Sequence, residues 1–164
     1  MEDFKNNQEH ISTPVWNGNA CIVQLEFPNT FPDTLEKNGN TLLRKPEFHI
    51  TLIGNQLASE IENHCTEDQR AELKEYINSI QLHVTLANNE YFLVKDYGDH
   101  IRYSRIVELL LNEKDELEKH VSQIIGFPYT IFPHITTHSG SDHEDYIHRG
   151  IGIQSREELE QYQQ

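Results

Sequence analysis

The sequence predicts an α+β fold with a largely antiparallel sheet system. Three observations carry that expectation. Segments read in the order strand, strand, helix, three strands, helix, strand, strand. They divide into two halves, each holding one helix and several strands. A turn-type pair, Asn88-Asn89, joins two consecutive strands as a hairpin would.

Residues 1–18 are polar and carry neither a helical nor a strand period, so they read as a tail or lead-in, with 19–164 as a single domain. The run Cys21-Ile-Val-Gln-Leu-Glu-Phe27 is a strand candidate closed by Pro28. From Asn29 to Lys45 the chain is rich in Asn, Pro and Gly; it reads as a long loop, functional in itself or hiding a short helix near 33–37. Pro46-Glu-Phe-His-Ile-Thr-Leu-Ile53 is a second strand, ended by Gly54-Asn55. Helical spacing runs through 56–80 with a break near 63–65. There Thr66-Glu-Asp-Gln69 makes a capping box for the second half, and Leu73, Ile77 and Ile80 recur at helical spacing.

Strands are expected next at 82–87, 91–95 and 101–109. The second clear helix spans 113–125, turns Leu117, Val121, Ile124 and Ile125 inward, and stops at Gly126. Residues 130–137 form another strand. A polar, His-rich loop then leads to a short strand at 150–154 and a short charged C-terminal helix.

A chain of 164 residues with 36% apolar and 24% charged content suits one compact, soluble domain. Its start lacks the apolar run of a signal peptide, and no stretch approaches the roughly 18 apolar residues of a membrane span, so a cytoplasmic location away from membranes is expected. Cys21 and Cys65 have no metal-type spacing and read as buried, inert thiols. The net charge of −14 is more informative. Proteins that grip long nucleic acids present basic faces, because neutralising phosphates supplies much of the affinity. With 13 Lys plus Arg against 27 Asp plus Glu, a small nucleotide or oligonucleotide is the better-matched partner.

The chemistry is concentrated in one internal echo, Phe48-His49-Ile50-Thr51 against Pro133-His134-Ile135-Thr136. Side chains alternate along a strand, so each motif sets an imidazole and a hydroxyl on one face and apolar residues on the other. That pattern suits phosphate ester cleavage. A neutral imidazole takes a proton from the attacking oxygen, a protonated one gives a proton to the leaving oxygen, and histidine populates both states near neutrality. The threonine hydroxyls donate to the non-bridging oxygens. No metal or cofactor is needed to complete the set. With 10 His and 10 Thr, chance alone gives roughly 0.6 His-x-Thr triplets in this chain. There are four, but His64-Cys65-Thr66 and His83-Val84-Thr85 lack the Ile and the aromatic/Pro flanks of the other two, and His83 reads as an ordinary strand histidine.

Pro46-Glu-Phe-His-Ile-Thr-Leu-Ile-Gly54 and Phe132-Pro-His-Ile-Thr136 resemble the paired signature motifs of the 2H phosphoesterase superfamily. That family includes RNA 2′,3′-cyclic phosphodiesterases, enzymes acting on 2′-5′ linkages, and phage enzymes that destroy cyclic-oligonucleotide signals. The resemblance extends over roughly residues 20–154. It implies a bilobal fold, with two largely antiparallel sheets flanking a central cleft and helices outside. It further implies His49 and His134 as acid and base, with Thr51 and Thr136 binding the phosphate. The second motif continues as Thr137-His138-Ser139-Gly140, where many relatives carry an apolar and then a basic residue, so the substrate type is left open.

Further substrate contacts are sought among Lys45, Arg102, Arg105 and Arg149 for phosphate and Trp16, Tyr97, Tyr103 and Tyr129 for stacking. His138 joins them if the strand of His134 continues in regular alternation. His134, His138, His143 and His148 with Asp142, Glu144 and Asp145 could instead hold a metal, although a solvated loop fits their loose spacing better. The leading expectation is a metal-independent phosphodiesterase acting on 2′,3′-cyclic phosphate or 2′-5′/3′-5′ bonds. The alternatives are a phage-type nuclease that degrades cyclic-oligonucleotide immune signals and a noncatalytic nucleotide-binding module.

Overall fold

The structure is a computed structural model and describes residues 7–8, 13–26 and 31–164. Two antiparallel sheets and four α-helices make up the described part, the α+β architecture expected. The larger sheet has six strands in the order β1-β7-β8-β9-β5-β4. They are β1 (Asn7–Gln8), β4 (Thr34–Lys37), β5 (Asn40–Arg44), β7 (Val84–Asp96), β8 (Ile101–Leu111) and β9 (His134–Ser141). The smaller sheet has three in the order β2-β3-β6: β2 (Val15–Asn17), β3 (Ala20–Leu25) and β6 (Phe48–Ile53).

Of the helices α1 (Asn55–His64), α2 (Glu67–Ser79) and α3 (Lys114–Ile125), α2 packs against α3 and α1 against β3 of the small sheet. Ile61, Leu73, Ile77, Leu117, Val121 and Ile125 from these helices meet Val107, Leu109 and Ile135 of the large sheet and Val23, Ile50 and Leu52 of the small one in a single core. A second cluster covers the opposite face, where Leu93, Ile106, Phe132, Ile151 and Ile153 meet Leu159 of α4 (Arg156–Tyr162). The capping box of α2 is present in full: Thr66 Oγ1 accepts from the Gln69 amide and the Gln69 side chain accepts from the Thr66 amide. Cys21 and Cys65 are free and buried, and burial pushes the Cys21 thiol up to about 12. Among the described residues no helix is long and apolar enough to cross a membrane.

Several elements differ from the sequence reading. The tail contains β1, paired with β7, and β2, paired with β3; residues 1–6 and 9–12 lie outside the described residues, as do Phe27 and Pro28. The expected loop over 29–45 holds the β4–β5 hairpin instead of a helix. Its turn is Asn38-Gly39, both at positive φ (51° and 81°), the geometry a two-residue hairpin demands and that Gly and Asn tolerate. Asn88-Asn89 is not a turn. It lies within the single long strand β7, where the register with β8 shifts between Leu86 and Glu90. Among the described residues, 150–154 pair with no strand, and β9 begins only at His134.

Candidate functional site

The two motifs sit on different sheets. On β6, His49 pairs with Gln24 and Thr51 with Ile22, so both point away from the core. Ile50 between them is 1% exposed and packs into it. On β9, His134 pairs with Glu108 and Thr136 with Ile106, which places them on the face that also carries Arg102 and Ser104 of β8. Ile135, fully buried, anchors the opposite face against Val107. The central isoleucine of each triplet therefore holds the strand, and the flanking His and Thr are presented by it. Burying such a side chain contributes about 1.5–3 kcal/mol.

All four motif side chains line one cavity of about 590 Å³, together with Lys45, Tyr97, Arg102 and Tyr129. Its size falls in the range of small-ligand sites. His134 Nδ1 lies 2.6 Å from the Phe132 carbonyl. A carbonyl only accepts, so Nδ1 carries the proton and Nε2 of the neutral ring keeps its lone pair. Burial holds the His134 imidazole below the usual histidine range; the Phe132 carbonyl opposes this and the charge of His49 adds to it, so the two rings sense each other. His49 is also lowered, chiefly by burial and then by Lys45, while Glu47 pulls the other way. The His49 ring and the hydroxyls of Thr51 and Thr136 make no hydrogen bond within the described residues, which leaves them available to a ligand.

Two side chains tie the motif strands together. The Tyr129 hydroxyl donates to the Leu52 carbonyl at 2.7 Å. Gln154 accepts from the Gly54 amide at 3.3 Å and donates to the Thr130 carbonyl at 2.9 Å. The end of β6 is thus fastened to the segment that leads into β9.

Other sequence candidates lie elsewhere. His138 does not share the face of His134, and the reason is a β-bulge. His138 pairs with Arg105 and Thr136 with Ile106, so Thr137 is an extra residue and the alternation flips after it. His138 is buried, its Nε2 donating to the Pro32 carbonyl and its Nδ1 meeting the Thr137 hydroxyl. Tyr103, next to Arg102 on β8, points to the other face and lines a small crevice beside Lys37 and Phe92. Arg105 is buried against Glu90 and Thr137. Arg149 lies over the Tyr146 ring, and Trp16 Nε1 donates to Asn78. His83 precedes β7 and pairs with Glu113. The His/Asp-rich stretch does not converge: among the described residues no three His, Cys, Asp or Glu side chains are grouped to hold a metal ion.

The sequence reading missed Lys95 and the strap Gly150-Ile151-Gly152-Ile153-Gln154, all of which line the cavity. Apolar side chains at every second strap position were the available signal. Ile151 and Ile153 are buried, which turns Gly150, Gly152 and Gln154 the other way. A Cβ on Gly150 would meet Thr136 Cγ2 at 3.2 Å, whereas one on Gly152 would meet nothing within 4 Å. The chain matches no family model, no curated protein and no solved structure.

Proposed function

We propose that this protein is a metal-independent phosphodiesterase that cleaves a cyclic phosphate or a phosphodiester bond in a small nucleotide or RNA end by two-histidine acid–base catalysis. One observation carries the reading: two His-Ile-Thr triplets, 85 residues apart and on strands of different sheets, line the same cavity.

The environments of the rings support a division of labour. His134, buried and neutral with Nε2 unprotonated, is the base that takes the proton of the attacking water or ribose hydroxyl. His49, half-exposed and without a fixed partner, is the more readily protonated ring and gives its proton to the leaving oxygen. The new P–O bond forms as the bond to that oxygen breaks. Water attack on a 2′,3′-cyclic phosphate leaves a monoester; attack by a neighbouring hydroxyl on a diester leaves a cyclic phosphate and a free hydroxyl. Thr51 and Thr136 donate to the non-bridging oxygens, and Lys45 adds positive charge beside His49. Acid, base and donors are all supplied by the chain itself, so turnover should persist in chelator.

The test is a panel of 2′,3′-cyclic mononucleotides, 2′-5′ oligoadenylates and cyclic dinucleotides, assayed in EDTA with His49→Ala and His134→Ala alongside. Turnover of at least one substrate, lost in both variants, is expected. Undiminished turnover by either variant, or nucleotide binding with no turnover of any substrate, overturns the reading.

A further inference from the structure

At one end of the cavity two cations stand side by side with no obvious role in the cleavage step. Lys95 of β7 and Arg102 of β8 are direct cross-strand partners, on the sheet face that carries His134 and Thr136. Both line the cavity. The chain holds 27 Asp plus Glu, yet among the described residues neither cation has a carboxylate within ion-pair distance. Cavity-lining carboxylates do occur, at Glu60 and Glu158, but Glu158 accepts from the Gln154 amide.

Arg102 is also held still. Its guanidinium carbon lies 4.1 Å from the Tyr97 ring centroid and 5.1 Å from that of Tyr146. Its Nε donates to His100 Nε2 at 2.9 Å, and the other ring nitrogen of His100 is fixed 2.7 Å from Asp99. Parallel stacking of His100 on Tyr146, at 3.6 Å and 4°, completes the bracket. A guanidinium so fixed loses little freedom on meeting an anion, and its planar fork matches phosphate oxygens. Lys95, over the Tyr97 and Tyr162 rings at 5.0 and 4.8 Å, is set beside it.

The distance to the reaction centre is short. Arg102 Nη1 reaches the Gly150 carbonyl at 3.5 Å, and Gly150 in turn lies against Thr136. One glycine separates the guanidinium from a hydroxyl of the catalytic pair. Resting on the phosphodiesterase reading above, we propose that Lys95 and Arg102 form a second phosphate subsite. The substrate is then an oligonucleotide with a phosphate next to the one being cleaved, and not a cyclic mononucleotide.

Binding separates this from the cleavage chemistry. The 3′,5′-bisphosphates of the four common deoxynucleosides, which lack the attacking 2′ hydroxyl, are titrated calorimetrically against the corresponding 3′- and 5′-monophosphates. At least one bisphosphate should bind about tenfold or more tightly than either monophosphate. That ratio should fall towards one in Arg102→Gln and in Lys95→Gln, and the slope of log affinity against log salt should drop by about one per cation removed. A ratio near one for all four nucleosides in the unaltered protein, or a ratio that survives both substitutions, overturns the subsite. Should Arg102→Gln not fold, the half-exposed Lys95→Gln decides. A clear ratio without turnover would sink the phosphodiesterase reading and keep the subsite; turnover with a ratio near one would do the reverse.

Discussion

The same tripeptide occupies two unlike settings. His-Ile-Thr on β9 lies in the six-stranded sheet, on a strand flanked by β8 along its whole length and joined by β5 at His138–Ser139. Its imidazole is 8% exposed and bonded to the Phe132 carbonyl. His-Ile-Thr on β6 lies at the edge of the three-stranded sheet; among the described residues β3 is its only strand partner, and its half-buried imidazole makes no hydrogen bond. Chemistry that needs one proton acceptor and one donor gains from this difference. A sequence echo supplies two equal imidazoles, and the surrounding fold makes them unequal.

Removing either ring should have the largest effect. His49→Ala and His134→Ala are each expected to lower kcat by about a hundredfold or more, measured as steady-state turnover of whichever diester the panel identifies. The comparison sharpens with NMR of labelled histidine. His134 should give the Nδ1–H tautomer, and an Nε2–H signal would rule it out as the base. Next come the hydroxyls. Thr51→Val and Thr136→Val keep shape but lose a donor to an anion, a loss of about 1.5–3 kcal/mol, or roughly ten- to a hundredfold in kcat/KM. Equal losses would fit two donors on one phosphate, whereas a silent Thr51 would restrict phosphate binding to the β9 side.

The pH profile of kcat/KM follows from the directions of the two shifts. The base must be neutral and the acid protonated, so activity rises through the lower pKa and falls through the upper. Both imidazoles lie below the ordinary value of about 6.5. The bell should therefore peak on the acid side of neutrality and decline through pH 7. A plateau extending above pH 8 would show that the acid is not one of these rings.

How far the sequence could be read depended on the range of the interaction concerned. The motif strands were legible because alternation around His49 and His134 is local, and α2 and α3 because the Thr66 box and the Leu117/Val121/Ile125 spacing are local too. The fold class followed from their order. What escaped was set at a distance. Asn38-Gly39 is a strong hairpin signal, masked by a neighbourhood whose composition reads as loop. Asn88-Asn89 looks like a turn, yet β8 carries β7 straight past it with a shift of register. The bulge at Thr137, which removes His138 from the site, exists only in the pairing of β9 with β8. Nothing in the strap sequence says that Ile151 and Ile153 will find Leu93 and Leu159, and so turn two glycines towards the cavity.

The smallest expected effect tests whether the unequal halves are held as one unit. Tyr129→Phe removes a single hydroxyl and leaves the Leu52 carbonyl, at the end of the β6 motif, with the longer 3.5 Å bond from Gln154 Nε2 in place of its 2.7 Å donor. Losing one hydrogen bond of this kind costs about 0.5–1.5 kcal/mol, or roughly 1–6 °C in Tm for a chain of this length. Because the bond joins β6 to the lead-in of β9, loosening it should also let the two imidazoles drift relative to each other. Turnover should then fall severalfold at temperatures well below the new midpoint, while the Nδ1–H tautomer of His134, fixed by Phe132 within its own strand lead, stays as it was. If Tm drops but turnover per folded molecule is untouched, Tyr129 stabilises the core without setting the spacing of the pair, and Gln154, with its bonds to Gly54 and Thr130, is left as the element that aligns the two motifs.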